Sequence, residues 1–148
     1  MILMGMNDAA VLKDGWHPVQ EGPGGIPCRW MSPRATVFLA AGASVQATVS
    51  APGEIAGRRP GLSVYGADGT LLGHCADLGR EGEWTVVQLS LGRSTQAGGE
   101  LCAFAVESID SGSAVPLGFI PHEIFGNGDL RELGVQISTI RVCPNQAL

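Results

Sequence analysis

Apolar and polar residues alternate with a period of two along most of this chain, the signature of strands with one dry and one wet face. In Ala43–Ala51, Val45, Ala47, Val49 and Ala51 fall on one face, and Ser44, Gln46, Thr48 and Ser50 on the other. Arg34–Ala41 carries Val37-Phe38-Leu39, and Ala41-Gly42-Ala43 reads as a tight link, so these two strands are predicted to form a hairpin. Leu62–Tyr65 and Thr70–Ala76 flank Gly66-Ala67-Asp68-Gly69, whose Asp-Gly pair supplies the positive φ that a tight hairpin needs. Trp84–Leu91 sets Val87, Leu89 and Leu91 against Val86, Gln88 and Ser90, and Leu101–Val106 sets Cys102, Phe104 and Val106 against Leu101, Ala103 and Ala105. Gly134–Cys143 begins with Val135 and Ile137 on one face but ends with Ile140 and Val142, a change of phase near Ser138-Thr139 that predicts a β-bulge.

Short strands at Cys28–Met31 and Gly118–Ile120 bring the count to about eight or nine, with turns every 8–15 residues and a short helical turn over Pro121–Phe125. No segment sustains the i, i+3, i+4, i+7 apolar stripe of an amphipathic helix. The reading is an all-β fold, a single antiparallel β-sandwich with a jelly-roll-like strand order. It fills residues 1–148, with its core over about 12–143. No internal repeat or linker divides the chain.

Composition narrows the function classes. A chain of 148 residues can bury enough surface to fold without disulfide or metal. With 22 glycines and 9 prolines it turns often, and helix-forming blocks are scarce. A net charge of −5 and a single adjacent cation pair, Arg58-Arg59, argue against a nucleic-acid partner. No apolar run reaches the 18 or so residues of a membrane span. The N-terminal Met1–Met6 lacks the basic region and cleavage site of a secretory signal, so a cytoplasmic location is expected. The four cysteines (28, 75, 102 and 143) show no C-x-x-C spacing and read as reduced, small core residues.

Catalytic and metal signatures are missing. His17, His74 and His122 have no paired-ligand spacing with one another or with the cysteines, so no metal and no cofactor is expected. There is no G-x-S-x-G elbow; Gly61-Leu62-Ser63-Val64-Tyr65-Gly66 has the wrong spacing and lies in a strand. Glu21, Glu123, Asp129 and Glu132 could supply a glycosidase pair, but nothing in their spacing selects two of them. Glu21-Gly22-Pro23-Gly24-Gly25 is not followed by a helix or a Lys-Ser/Thr, so it is a turn-rich loop and not a phosphate loop. No catalytic residue is assigned, and the chain is read as a non-enzyme.

Two polar-aromatic clusters remain. Trp16, His17, Glu21, Arg29 and Trp30 fall within fifteen residues around one Gly/Pro-rich loop. Asp129 and Arg131 lie in the loop that leads into the last strand. Aromatic faces combined with planar polar side chains are the chemistry that stacks on a sugar ring and takes its hydroxyls. The structural alternative makes each Trp a core anchor, pairs Arg29 with a nearby acid, and makes Asp129 and Arg131 a local ion pair or Asx turn. Trp84, at a strand entrance, reads as a core or sheet-edge residue.

At these clusters the chain resembles a largely uncharacterised family of small bacterial β-sandwich accessory modules. Leu12-Lys13-Asp14-Gly15-Trp16-His17-Pro18-Val19-Gln20-Glu21, then Arg29-Trp30-Met31 and Ala35-Thr36-Val37-Phe38-Leu39, are similar to the module's opening. Phe119-Ile120-Pro121, Asp129-Leu130-Arg131-Glu132-Leu133-Gly134-Val135 and Ile140-Arg141-Val142 are similar to its close. The chain departs from the pattern in the long Gly/Pro loop between Glu21 and Arg29. Such modules accompany glycosyltransferases and methyltransferases of surface-polysaccharide assembly, and a carbohydrate-binding role is commonly suspected for them. The resemblance therefore implies a non-catalytic module that binds an oligosaccharide or glycan precursor, with a glycosyltransferase as its protein partner. Trp16 and Trp30 would stack, and His17, Glu21, Arg29, Asp129 and Arg131 would contact hydroxyl or acidic groups. The alternatives are an interaction module that docks on a partner enzyme or forms a homodimer through its sheet edges, and a small jelly-roll hydrolase or isomerase.

Overall fold

The computed structural model describes residues 1–40, 42–55, 57–91 and 101–143. Within them the strands are β1 (Ile2–Leu3), β2 (Gln20–Glu21), β3 (Pro27–Trp30), β4 (Arg34–Ala40), β5 (Ser44–Ser50), β6 (Pro60–Tyr65), β7 (Leu71–Cys75), β8 (Thr85–Ser90), β9 (Leu101–Asp110) and β10 (Gln136–Cys143). One short helix, α1 (Pro121–Phe125), precedes β10. They form two antiparallel sheets, one ordered β2-β3-β10-β5-β8 with β1 also on β10, the other β4-β9-β6-β7. From β3 onward every step along the chain changes sheet except β6 to β7. Four strands, β3-β10-β5-β8, thus face β4-β9-β6-β7, which is the jelly-roll arrangement.

The alternation seen in the sequence is the packing. Val45, Ala47, Val49 and Ala51 are buried from the first sheet, as are Val87, Leu89 and Leu91. Across from them lie Val37 and Leu39 of β4, Leu62 and Val64 of β6, and Phe104 and Val106 of β9. Each such side chain contributes about 1.5–3 kcal/mol when fully buried, so the inward faces of the two sheets hold the sandwich together.

The expected hairpin between Arg34–Ala41 and Ala43–Ala51 does not form. β4 pairs with β9, and β5 pairs with β10 and β8 in the opposite sheet. Adjacent strands with equally dry faces satisfy each other by facing across the core as well as by pairing side by side. The link after Ala40 takes the first route: Ala43 donates to the Cys143 carbonyl and Leu91 to that of Ala43, both outside β4. Ala41 itself lies outside the described residues.

Two other local expectations hold. β6 and β7 form a hairpin closed by the Gly66 N–H to Thr70 carbonyl bond, with Gly69 at φ 84° and Asp68 Oδ1 accepting from the Thr70 N–H. In β10 the pairing with β5 shifts between Ile137 and Thr139, so Ser138 is the extra residue of a bulge. Ile137 and Ile140 are consequently both buried. The bulge also divides the edge of β10: β3 pairs before it, through Gln136 and Ile137, and β1 after it, through Thr139 and Ile140. Gly118–Ile120 forms no strand, only a single bridge between Phe119 and Leu133, while the expected helical turn is α1.

Of the four cysteines Cys28 is buried, and Cys75, Cys102 and Cys143 are half-buried rather than core residues. No helix among the described residues is long and apolar enough to cross a membrane.

Candidate functional site

The outer face of the six-stranded sheet carries a groove of about 360 Å³. Its floor follows from strand register. Trp30 of β3 lies opposite Gln136 of β10, which lies opposite Ser50 of β5, so three neighbouring strands present these side chains in one row. All three alternate with core residues: Met31, Ile137 and Val49 point the other way and are buried. One wall is the segment joined by the Phe119–Leu133 bridge, with Phe119, Pro121, Phe125, Asn127, Asp129 and Arg131 along it. The other is formed by Gln20, Pro23, Ala51-Pro52 and Glu81-Gly82.

The Pro23 side is held by packing on the same outer face. Trp84 Nε1 donates to the Pro23 carbonyl at 2.8 Å. A Cβ on Gly22 would fall 2.8 Å from Cys28 Sγ and 2.9 Å from Trp84 Cζ2, so glycine is what lets the loop close over the sheet here. Beneath it Gln136 Nε2 donates to Cys28 Sγ at 3.5 Å, and burial pushes the Cys28 thiol up.

The opposite wall is fixed by its own polar groups. Asp129 Oδ1 accepts from the Arg131 N–H at 3.1 Å and from Nε at 3.0 Å, and Oδ2 accepts from Nη2 at 2.8 Å. These hydrogen bonds from Arg131, helped by the charges of Arg131 and His17, hold the Asp129 carboxyl at about 2. Asp129 in turn raises the Arg131 guanidinium. Arg131 Nη1 is left to reach Gln20 Oε1 at 3.5 Å, across the groove. The His122 N–H donates to the Asp129 carbonyl, and His122 Nδ1 accepts from the Gly128 N–H, so α1 and the 126–129 loop are one unit.

The three tryptophans differ in one decisive respect. Trp16 Nε1 donates to the Thr36 carbonyl at 2.9 Å and Trp84 Nε1 to that of Pro23. Trp30 and Phe119 pack edge to face, with ring centroids 5.6 Å apart, but Trp30 Nε1 has no hydrogen-bond partner among the described residues and is not sealed from solvent. An indole N–H left without a partner beside a groove is a donor available to a ligand.

Of the residues singled out from sequence, Trp30, Asp129 and Arg131 meet in this groove. Trp16 does not: it bridges Met31 and packs against the core. Arg29 does not either, because consecutive strand residues point to opposite faces; it lies opposite Ile137 on the core side of the sheet. There its Nε binds Asp8 Oδ2 at 2.6 Å and its Nη1 donates to the His17 carbonyl. Burial alone would raise the Asp8 carboxyl, but hydrogen bonds from Arg29 and the Gly5 N–H outweigh it and hold the group low. His17 sits outside the groove lining, its Nε2 at 3.3 Å from both the Glu132 carbonyl and Ser32 Oγ. Glu21 is exposed on β2, one residue from Gln20 and on the opposite face. Gln20, Ser50, Glu81, Phe119, Phe125, Asn127 and Gln136 are groove residues that the sequence did not single out.

Scans against family models, curated proteins and solved structures give no match to this chain. Among the described residues no group of three or more His, Cys, Asp or Glu side chains is placed to hold a metal ion.

Proposed function

We propose that this chain is a non-catalytic carbohydrate-binding module, and that the groove on its six-stranded sheet receives the sugar. The observation that carries the reading is Trp30: a half-buried indole with an unpartnered N–H, flanked by an Asp–Arg pair on one side and amide side chains on the other. The apolar face of a pyranose stacks on the ring, and the planar polar groups of Arg131, Gln20, Asn127 and Gln136 take hydroxyls in pairs. A role beside a glycosyltransferase of surface-polysaccharide assembly rests on the resemblance at residues 12–39 and 119–142. Titration of the protein with bacterial oligosaccharides, followed by calorimetry, tests the reading. Binding that falls at least about tenfold in Trp30→Ala, with the fold intact, supports it. Equal binding by the variant, or none by either protein, overturns it.

A second reading, docking on a partner enzyme through the same face, is favoured by Ile124, Phe125 and Leu130, which are 54%, 69% and 72% exposed around the groove. Exposed apolar side chains grouped in this way mark protein contacts as well as ligand sites. Loss of co-purification with a polysaccharide glycosyltransferase on Ile124→Ser/Leu130→Ser, with sugar binding absent from both proteins, selects this reading.

A further inference from the structure

The strip at Ala51, Pro52 and Glu81 borders more than the groove. The same three residues also line a second hollow of about 260 Å³, formed by residues 51–54, 59, 60 and 76–81. We infer that the two hollows form one cleft across this shared strip, and that its ligand is a neutral oligosaccharide of at least two sugar units. The inference rests on the sugar-binding reading of the Trp30 groove.

Size is the first argument. Small-molecule sites occupy about 300–1,000 Å³, and each hollow alone falls at or below the low end of that range. A ligand that fills the Trp30 groove and crosses Pro52 reaches groups that a single ring on Trp30 leaves unused. The second argument is chemical. The second hollow has no aromatic lining, and it presents charges of both signs: Arg59 and Arg80 against Glu54, Asp77 and Glu81. None of these five takes part in an ion pair among the described residues. Asp77 alone is engaged, accepting from the Gly79 N–H at 2.9 Å. Donors and acceptors left side by side suit sugar hydroxyls, each of which both donates and accepts. A carboxylate or phosphate on the ligand would meet Glu54 and Glu81 with no surplus of positive charge to offset them, and the Trp30 groove adds none, since Asp129 neutralises Arg131. The division of labour is therefore a stacking subsite at Trp30 and a hydroxyl-reading subsite at Arg59 and Arg80.

The test is an NMR titration of the whole chain with neutral mono-, di-, tri- and tetrasaccharides of the gluco, galacto and manno series, beside uronate-containing oligomers of equal length. Affinity is expected to rise at least about tenfold between the monosaccharide and the trisaccharide of the preferred series. Resonances of the 52–54 and 77–81 segments are expected to shift only with the longer ligands. Arg80→Ala and Glu54→Gln, both at exposed positions, should bring the ratio of tetrasaccharide to monosaccharide affinity back toward one. Binding that is independent of length, shifts confined to the Trp30 groove, or tighter binding of the uronate series would overturn the two-subsite cleft while leaving sugar binding at Trp30 standing. No binding by any saccharide would overturn both.

Discussion

Three tryptophans of one chemical kind take three roles here, set by where the indole N–H goes. Trp16 closes a hydrogen bond to Thr36 and packs on the core, Trp84 ties the Pro23 turn down, and Trp30 lines the groove with its donor unpartnered among the described residues. Trp16→Ala should therefore destabilise the fold by about 3 kcal/mol in denaturant unfolding, mainly through lost packing, since the Thr36 carbonyl keeps its bond from the Lys13 N–H. Trp30→Ala should cost far less stability and lose ligand instead. Arg29 belongs with the structural residues. Its partner Asp8 is 2% exposed, so Arg29→Met strands a buried carboxylate and should cost about 3 kcal/mol. That figure sits at the low end for a broken buried pair, because Arg29 keeps part of its side chain in solvent. Unchanged stability in Arg29→Met would contradict the assignment.

Asp129 makes a prediction about pH. Its carboxyl is held at about 2 in the folded chain against an ordinary 3.8. A depressed acid contributes its stabilisation fully above the unfolded value and loses it as pH falls through the folded one. The Asp129–Arg131 pair should thus stay intact at any pH above about 4 and open only as pH approaches 2. Carboxyl-detected NMR should show Asp129 ionised throughout the higher range; titration of its signal near the ordinary value would refute the geometry.

At the scale of elements, the bulge in β10 is the feature with most consequence. Held in regular alternation, Ser138 would turn Ile140 and Val142 to the outer face; bulged out as an extra residue, it leaves them on the inner face with Val135 and Ile137. Deletion of Ser138, which leaves Thr139 opposite Thr48 and Ile140 opposite Ala47, is therefore expected to fold cooperatively, as is Ser138→Ala; circular dichroism melts check both, and a deletion variant that melts without cooperativity would contradict this register. This bulge was legible in the sequence as a phase change, as was the Asp68-Gly69 turn, because both are local events with local signatures. The partner of β4 was not legible. Period-two alternation states which side of a strand is dry, but two such strands satisfy it equally by pairing or by facing, and the choice lies in contacts with residues far along the chain.

The site was legible in the same uneven way. Alternation within Cys28–Met31 already separates Arg29 from Trp30, and clustering along the sequence hid that separation. Asp129 and Arg131 stood out because they are charged and adjacent to a strand. Ser50 and Gln136 did not: as wet-face residues they look ordinary, and only cross-strand register puts them in one row with Trp30. Phe119 and Phe125 reach the groove through a bridge and a five-residue helix whose placement depends on Leu133 and Asp129.

For the whole molecule, the jelly roll acts as a frame that devotes its inner faces to packing and leaves on one outer face the groove that we propose binds sugar. The groove stands on three paired strands, and the Arg131–Gln20 contact across it is between side chains, so binding should leave the backbone almost unmoved. The measurement that bears most directly on this account follows the three indole N–H signals in a ¹⁵N-correlated NMR spectrum, assigned with Trp30→Phe. Two of them, from Trp16 and Trp84, should exchange slowly with solvent and stay in place as a neutral oligosaccharide is added. The third, from Trp30, should exchange fast in the free protein and shift on titration. A protected Trp30 signal that no saccharide moves would contradict the account.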